Sequence, residues 1–347
     1  MLPYLVISLL AMLAIVQASL TMGHPNIRIS PYVTLAPLIL ITTLVAGFRY
    51  QTGGDWQTYE EWYSGFSFDS ILTFGVEPGW IAYSLLLRQL GLNFDLYLLA
   101  TSVLSNYLIW RGLSQLLCNK RAAIICFGFY CLIVFYSAQM FYIRAGVATG
   151  LFLSAIAASR QHKLRAAVLL LLAISIHSAA ILAAFIYVCL RFCTRNRLLL
   201  GTSVLALAVL FWLVSQTFLP PVYLEGEFSD PRALNLKSAI GLLLFGTIIA
   251  RLPRFREQYS PEVTAVCIAA LSVPYMFESF EVGGRVRMFF SPIDGLPIYF
   301  LVLTMVGRRN TSIPLLFASS VFVLIYWTNP YTLEIFSPYQ TWVSRLF

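Results

Sequence analysis

Leu164–Cys193 reads LRAAVLLLLAISIHSAAILAAFIYVCLRFC, and between Arg165 and Arg191 only His177, flanked by Ser175 and Ser178, interrupts the apolar run. A bilayer core about 30 Å thick is crossed by roughly 20 apolar residues in a helix. The run is therefore too long for one ordinary span and short for two. It reads either as one tilted helix or as a tight helical hairpin, with His177 at the apex of 164–193.

The flanking charges favour the hairpin. Lysines and arginines are retained in cytoplasmic loops, and thirteen of the 23 here form five clusters: Lys120 with Arg121; Arg160, Lys163 and Arg165; Arg191, Arg195 and Arg197; Arg251, Arg254 and Arg256; Arg308 with Arg309. Placing all five on one side requires 164–193 to leave that side and return, which puts His177 toward the other face. The loops left on that face are acidic: Asp55, Glu60, Glu61, Asp69 and Glu77 in or beside loop 49–76, Glu225, Glu227 and Asp230 in loop 220–236, and Glu278 and Glu281 beyond them.

The rest of the chain is of the same kind. Of 347 residues, 59% are hydrophobic and 11% charged, against roughly 45–50% and about 25% in a soluble domain. Apolar segments recur near 2–21, 31–48, 77–91, 95–117, 121–138, 141–159, 198–219, 237–251, 261–279, 289–306 and 312–328. The expected fold is all-α: a polytopic transmembrane helical bundle of about 11–13 membrane segments, one integral membrane domain over 1–347. Residues 77–91, opened by Pro78 and Gly79 and interrupted by Arg88, are expected to dip in or lie at the interface, because an odd number of crossings is needed between loop 49–76 and the basic 118–121. Leu2–Leu20 lacks a basic leader and reads as the first span, not a cleaved signal. The net charge of +8 follows from topology, so no nucleic-acid partner is expected. The six cysteines lie mostly in or beside apolar stretches without zinc-site spacing, so neither metal nor disulfide is expected.

Ionisable groups at a membrane edge are costly, which marks them as functional candidates unless they anchor a helix end. Five places qualify. Arg49 precedes Gly53-Gly54-Asp55-Trp56 and Tyr59; the glycines permit a tight turn toward Arg49, an Arg fork grips phosphate, and Trp or Tyr faces pack on sugars. The alternative there is an interfacial loop with a snorkelling arginine and belt aromatics. Glu77 opens a helix before Pro78, as a cap or as an acid or base. Arg144 sits just inside a span, followed by small residues that permit close helix packing. His177, if it sees the outer cavity, serves as base or phosphate ligand. Arg285 and Arg287 follow a glycine pair and, two apart, do not share a helix face. There is no P-loop, no dinucleotide-binding GxGxxG, no HExxH and no Asp-x-Asp, so a mechanism without metal or cofactor fits these residues best.

In this order the motifs resemble the EpsG-like family of membrane polysaccharide polymerases, functionally akin to the Wzy-type O-antigen polymerases: Arg49 with Gly54-Asp55 and Tyr59, Glu77-Pro-Gly, Arg144-Ala, His177-Ser-Ala, the glycine–arginine turn, and Pro338-Tyr339. The likeness covers roughly residues 40–345. Two positions depart from it: Trp56 stands where the family has Tyr, and Ala145 where it often has Gln. The resemblance implies a GT-C-like glycosyltransferase in the bacterial inner (cytoplasmic) membrane, multi-pass. It would transfer a growing glycan from undecaprenyl pyrophosphate to a lipid-linked repeat unit at the outer face, with the lipid-linked oligosaccharide and the bilayer as partners and room for a chain-length regulator. Arg49, Arg144, Arg285 and Arg287, with Trp56 and Tyr59, would bind substrate; Asp55, His177 or Glu77 would handle the acceptor proton. The rivals are a flippase or transporter of lipid-linked oligosaccharide, a membrane acyltransferase, and a ligase that differs only in acceptor.

Overall fold

The computed structural model describes residues 2–24, 30, 32–73, 75–194, 196, 199–207, 209, 243–276, 281–327 and 339–341. Loop 220–236, Glu278 and Pro338 lie outside them. The protein is an all-helical bundle, with no strand among the described residues. Its helices are α1 (Leu2–Gly23), α2 (Tyr32–Gly47), α3 (Trp56–Gly65), α4 (Ser70–Thr73), α5 (Pro78–Gln89), α6 (Phe94–Leu117), α7 (Lys120–Ile133), α8 (Ile143–Ala158), α9 (Lys163–Ile176), α10 (Ala179–Cys193), α11 (Leu252–Gln258), α12 (Pro261–Met276), α13 (Glu281–Phe290), α14 (Gly295–Val306) and α15 (Ser312–Trp327).

The helices follow most of the apolar segments closely, but few are span-length. By length and apolarity one helix, α1, is able to cross a membrane alone, and Gly284–Ile293 with Gly295–Val306 reaches that only as a pair bent by 48°. The cause is visible in the sequence of each helix. At 16, 16, 15 and 16 residues, α2, α8, α10 and α15 are apolar but short. At 24 residues α6 is long enough, but Thr101, Ser102, Ser105 and Asn106 lie along it, all buried against other helices. There Asn106 donates to Thr43 Oγ1 (2.9 Å) and accepts from Gln139 (2.7 Å), and Thr101 and Ser102 donate to the Tyr97 and Thr43 carbonyls, so most of the polar stripe is paired inside the bundle.

Side-chain ties show which helix ends share a pole. At one pole the Lys120 ammonium lies 5.5 Å from the centre of the Tyr32 ring, and Gly23 packs so closely on the Arg308 carbonyl that an added Cβ would come within 2.7 Å of it. Arg160 binds the Leu116 carbonyl (2.8 Å) and Ser260 (2.5 Å). The Glu262 carboxylate sits between Arg160 (3.2 Å) and Arg191 (2.7 Å). The basic clusters of the described chain thus gather at one end of α2, α6, α8 and α10. At the other pole stand Arg144 and the start of α10. The sixteen residues of α8 separate the two ends by about 24 Å.

The 164–193 run is two helices that meet at His177. Helix α9 leaves the basic pole beside Arg160 and reaches the opposite pole at Ile176, and α10 carries the chain back to Arg191. Both ends of α5 stay with the far pole, since Glu77 contacts Arg144 and Ser178, while Arg88 donates to the carbonyls of Tyr63 (2.9 Å), Ser64 (3.1 Å) and Phe66. A π-helical turn, Tyr136–Phe141, ends one residue before α8; such turns recur at functional sites.

Candidate functional site

Glu77 is the hub of the far pole. As the residue that opens α5, ahead of Pro78 at the first helical position, it projects away from its own helix, whose orphan N–H groups its side chain does not cap. It forms an ion pair with Arg144, in the first turn of α8, and accepts from the Ser178 N–H (2.9 Å) and Oγ (2.8 Å) at the start of α10. His177 Nδ1 is 3.8 Å away. The close approach depends on Gly79, where an added Cβ would strike the Ser175 hydroxyl and carbonyl.

Charge states follow from these contacts. Burial raises the Glu77 carboxyl, but the Arg144 charge and the Ser178 donors outweigh it, and its pKa falls below the ordinary value. His177 is 4% exposed. Burial first, then the Arg144 charge, pushes its pKa down to about 4 against the opposing pull of Glu77, so the ring is neutral at pH 7. The Ala179 N–H points at Nδ1 (3.3 Å), which assigns the ring proton to Nε2. His177 is thereby a hydrogen-bond donor through Nε2.

Aromatic rings seat the arginines. The Arg144 guanidinium lies 5.1 Å from the centre of the Trp62 ring, and that of Arg285 lies 5.6 Å from the Tyr142 ring. Tyr59, 3% exposed, meets Trp62 edge-on at 5.4 Å. Burial raises the Tyr59 phenol, the Arg144 charge opposes this, and the Asp55 charge adds to the rise. The Arg285 charge also reaches His177.

The structure thus brings Glu77, Arg144, His177, Tyr59 and Arg285 together. Asp55 stands at the N-terminus of α3. Trp56 and Arg287 go elsewhere. The Trp56 side chain is buried edge-on against Tyr50 and Phe94, and Arg287 turns toward Asp294, 3.7 Å away in the break before α14. Sequence reasoning assigned no role to Trp62, Tyr142, Ser178 or Glu262. Trp62 lies three residues after Tyr59, one helical turn along the same face, and that spacing was the available signal.

Arg49 is sealed at 1% exposure. Its Nη1 donates to the carbonyls of Ala46 (2.9 Å) and Gln139 (2.8 Å), the latter in the π-turn. Behind it a cavity of about 10 Å³, lined by Thr101, Ser102, Ser105 and Gln139, has room for about one water. The following turn closes on the same segment: Gly53 has φ +95° and no space for a Cβ beside the Met140 carbonyl, and Gly54 faces the Phe141 ring. Residues 339–341 cover this turn, with Tyr50 N–H donating to the Gln340 carbonyl (2.9 Å) and Tyr339 to the Val45 carbonyl (2.8 Å).

Comparison with the curated proteins and with the solved structures gives no match. The model of the EpsG family matches residues 32–341, which hold the Arg49 turn, Glu77, Arg144, His177 and the 339–341 cover. The chain belongs to the EpsG family, which points to a polymerase-type function in polysaccharide synthesis at a membrane.

Proposed function

We propose that the protein is a multi-pass glycosyltransferase of the bacterial inner membrane that polymerises lipid-linked oligosaccharide repeats. It moves the growing glycan from undecaprenyl pyrophosphate to the next lipid-linked unit at the outer face. One observation carries this reading: Arg144 and Arg285 flank the neutral His177 and the α10 N-terminus at the pole opposite the basic clusters. Basic clusters stay cytoplasmic, so this site opens outward, where the lipid-linked substrate is presented.

In the reaction the acceptor hydroxyl oxygen bonds the anomeric carbon, and the bond from that carbon to the pyrophosphate oxygen breaks with its electron pair. Arg144 and Arg285 stabilise the charge that grows on the leaving pyrophosphate, and His177 donates Nε2–H to it. Glu77 is held by Arg144 and Ser178 and His177 has its proton on Nε2, so Asp55 is the better-suited acceptor for the hydroxyl proton. Arg49 supports the turn that carries Asp55.

The test is the ladder of surface polysaccharide in a strain lacking the chain, complemented with variants at matched membrane levels. Arg144→Ala should leave only the single-repeat species, and Arg309→Ala, at the basic pole, should restore the full ladder. A normal ladder with Arg144→Ala overturns the reading, and loss of even the single-repeat species would move it to transport of the lipid-linked unit.

A further inference from the structure

The contacts around Glu77 are those of an anion site. A guanidinium, a helix N-terminal N–H and a hydroxyl converge on one carboxylate. Helix N-termini and arginine forks hold phosphate with the same donors, and α10 is a full helix of 15 residues. The anion in the seat is the protein's own, delivered from the start of α5 on a side chain 16% exposed.

We infer that Glu77 is a specificity-determining residue, whose carboxylate occupies the phosphate seat formed by Arg144 and Ser178 and yields it only to a diphosphate. The inference rests on the pyrophosphate reading of this site. A membrane presents the seat with a large excess of phosphodiester headgroups that carry one negative charge each. A carboxylate tethered in place matches such a group in charge and needs no association from the membrane, so it holds the seat against it. A pyrophosphate brings more charge and more acceptor oxygens, spans from the Arg144 fork toward Arg285, and displaces the carboxylate. Glu77 then swings aside and its repulsion hastens release of the spent lipid pyrophosphate.

The sign of this effect separates it from other roles for Glu77. A general base at Glu77 would leave phosphatidylglycerol excluded and would show no gain in phosphate binding in Glu77→Asp, which keeps the charge, and a purely structural carboxylate would weaken binding and turnover together. The experiment uses the full chain in phosphatidylcholine nanodiscs, with inorganic phosphate and inorganic pyrophosphate titrated calorimetrically, then repeated in discs containing phosphatidylglycerol. Wild type should bind pyrophosphate in preference to phosphate and be insensitive to phosphatidylglycerol. Glu77→Gln should bind phosphate about tenfold to a hundredfold more tightly, the range of a charge-assisted hydrogen bond, and phosphatidylglycerol should now compete with pyrophosphate.

Glu77→Asp, which keeps the charge but withdraws it from the seat by one methylene, should shift in the same direction by less, and it decides the matter if Glu77→Gln does not fold. Unchanged or weaker phosphate binding in the folded variant overturns the inference while leaving the polymerase reading in place. Failure of wild type to bind pyrophosphate at all overturns the reading of the site itself.

Discussion

A single charge in an apolar chain is the residue-scale signal that sequence reads well. Arg144, Glu77 and His177 stand out because each is expensive near a membrane, and the three meet. Trp62 did not stand out, since an aromatic on a short loop helix is common; only the fold shows that Arg144 rests on it. Trp62→Ala should lower kcat for polymerisation by about twofold to thirtyfold, the span of about 0.5–2 kcal/mol for a cation–π contact. Trp62→Phe should recover most of the loss, whereas Trp56→Phe should change thermal stability and not kcat. For His177 the folded pKa, about 4, is below its unfolded value of about 6.5. Between those values the unfolded chain binds more protons, so this group makes the folded state less stable as pH falls from about 6.5 to about 4. Melting curves across that window should show the loss, and His177→Gln should remove His177's share of it.

Elements were legible by position and less so by continuity. The apolar segments lie where the helices are, because burial in a bilayer or a bundle demands the same residues. Most ends agree within a few residues; the departures are breaks inside a run, where 121–138 gives way to the π-turn after Ile133 and 289–306 is divided at Ser291–Asp294. The break at His177 divides one run into two helices, and Ser178 and Ala179 turn the second start into a donor surface. The 52–55 turn is fixed by backbone conformation and by the π-turn it rests on. Gly53→Ala puts a side chain at φ +95° and into the Met140 carbonyl, a cost of at least about 1–2 kcal/mol from the left-handed conformation alone. It should lower the melting temperature and shorten the polysaccharide ladder, whereas Gly65→Ala, where no atom lies within 4 Å of the added Cβ, should do neither.

At the scale of the molecule, two carboxylates each fasten α8 to α10, Glu77 at one pole and Glu262 at the other. Glu262→Gln leaves Arg160 and Arg191 facing each other at the basic pole, and about 1–3 kcal/mol of stability should be lost. Pyrophosphate affinity should stay at the wild-type value because the far pole is untouched. The orientation has its own check in Cys118, which is exposed beside Arg160 at the basic pole. In a chain whose other five cysteines are replaced by serine, a membrane-impermeant maleimide should label Cys118 in inverted vesicles and not in intact spheroplasts. The reverse pattern would put the candidate site on the cytoplasmic side.

The sequence by itself determined the helical class, the order of motifs that marks the family, and the few charges worth following. Those properties are local: an apolar run or an isolated charge has its cost wherever the chain goes. The tertiary structure alone decided who meets whom. It paired Glu77 with Arg144 across 67 residues, turned Arg287 toward Asp294, sealed Arg49 behind the site, and set Trp62 beneath the arginine that Trp56 does not reach. Partner choice depends on how distant helices pack, and one-dimensional spacing carries no record of that packing.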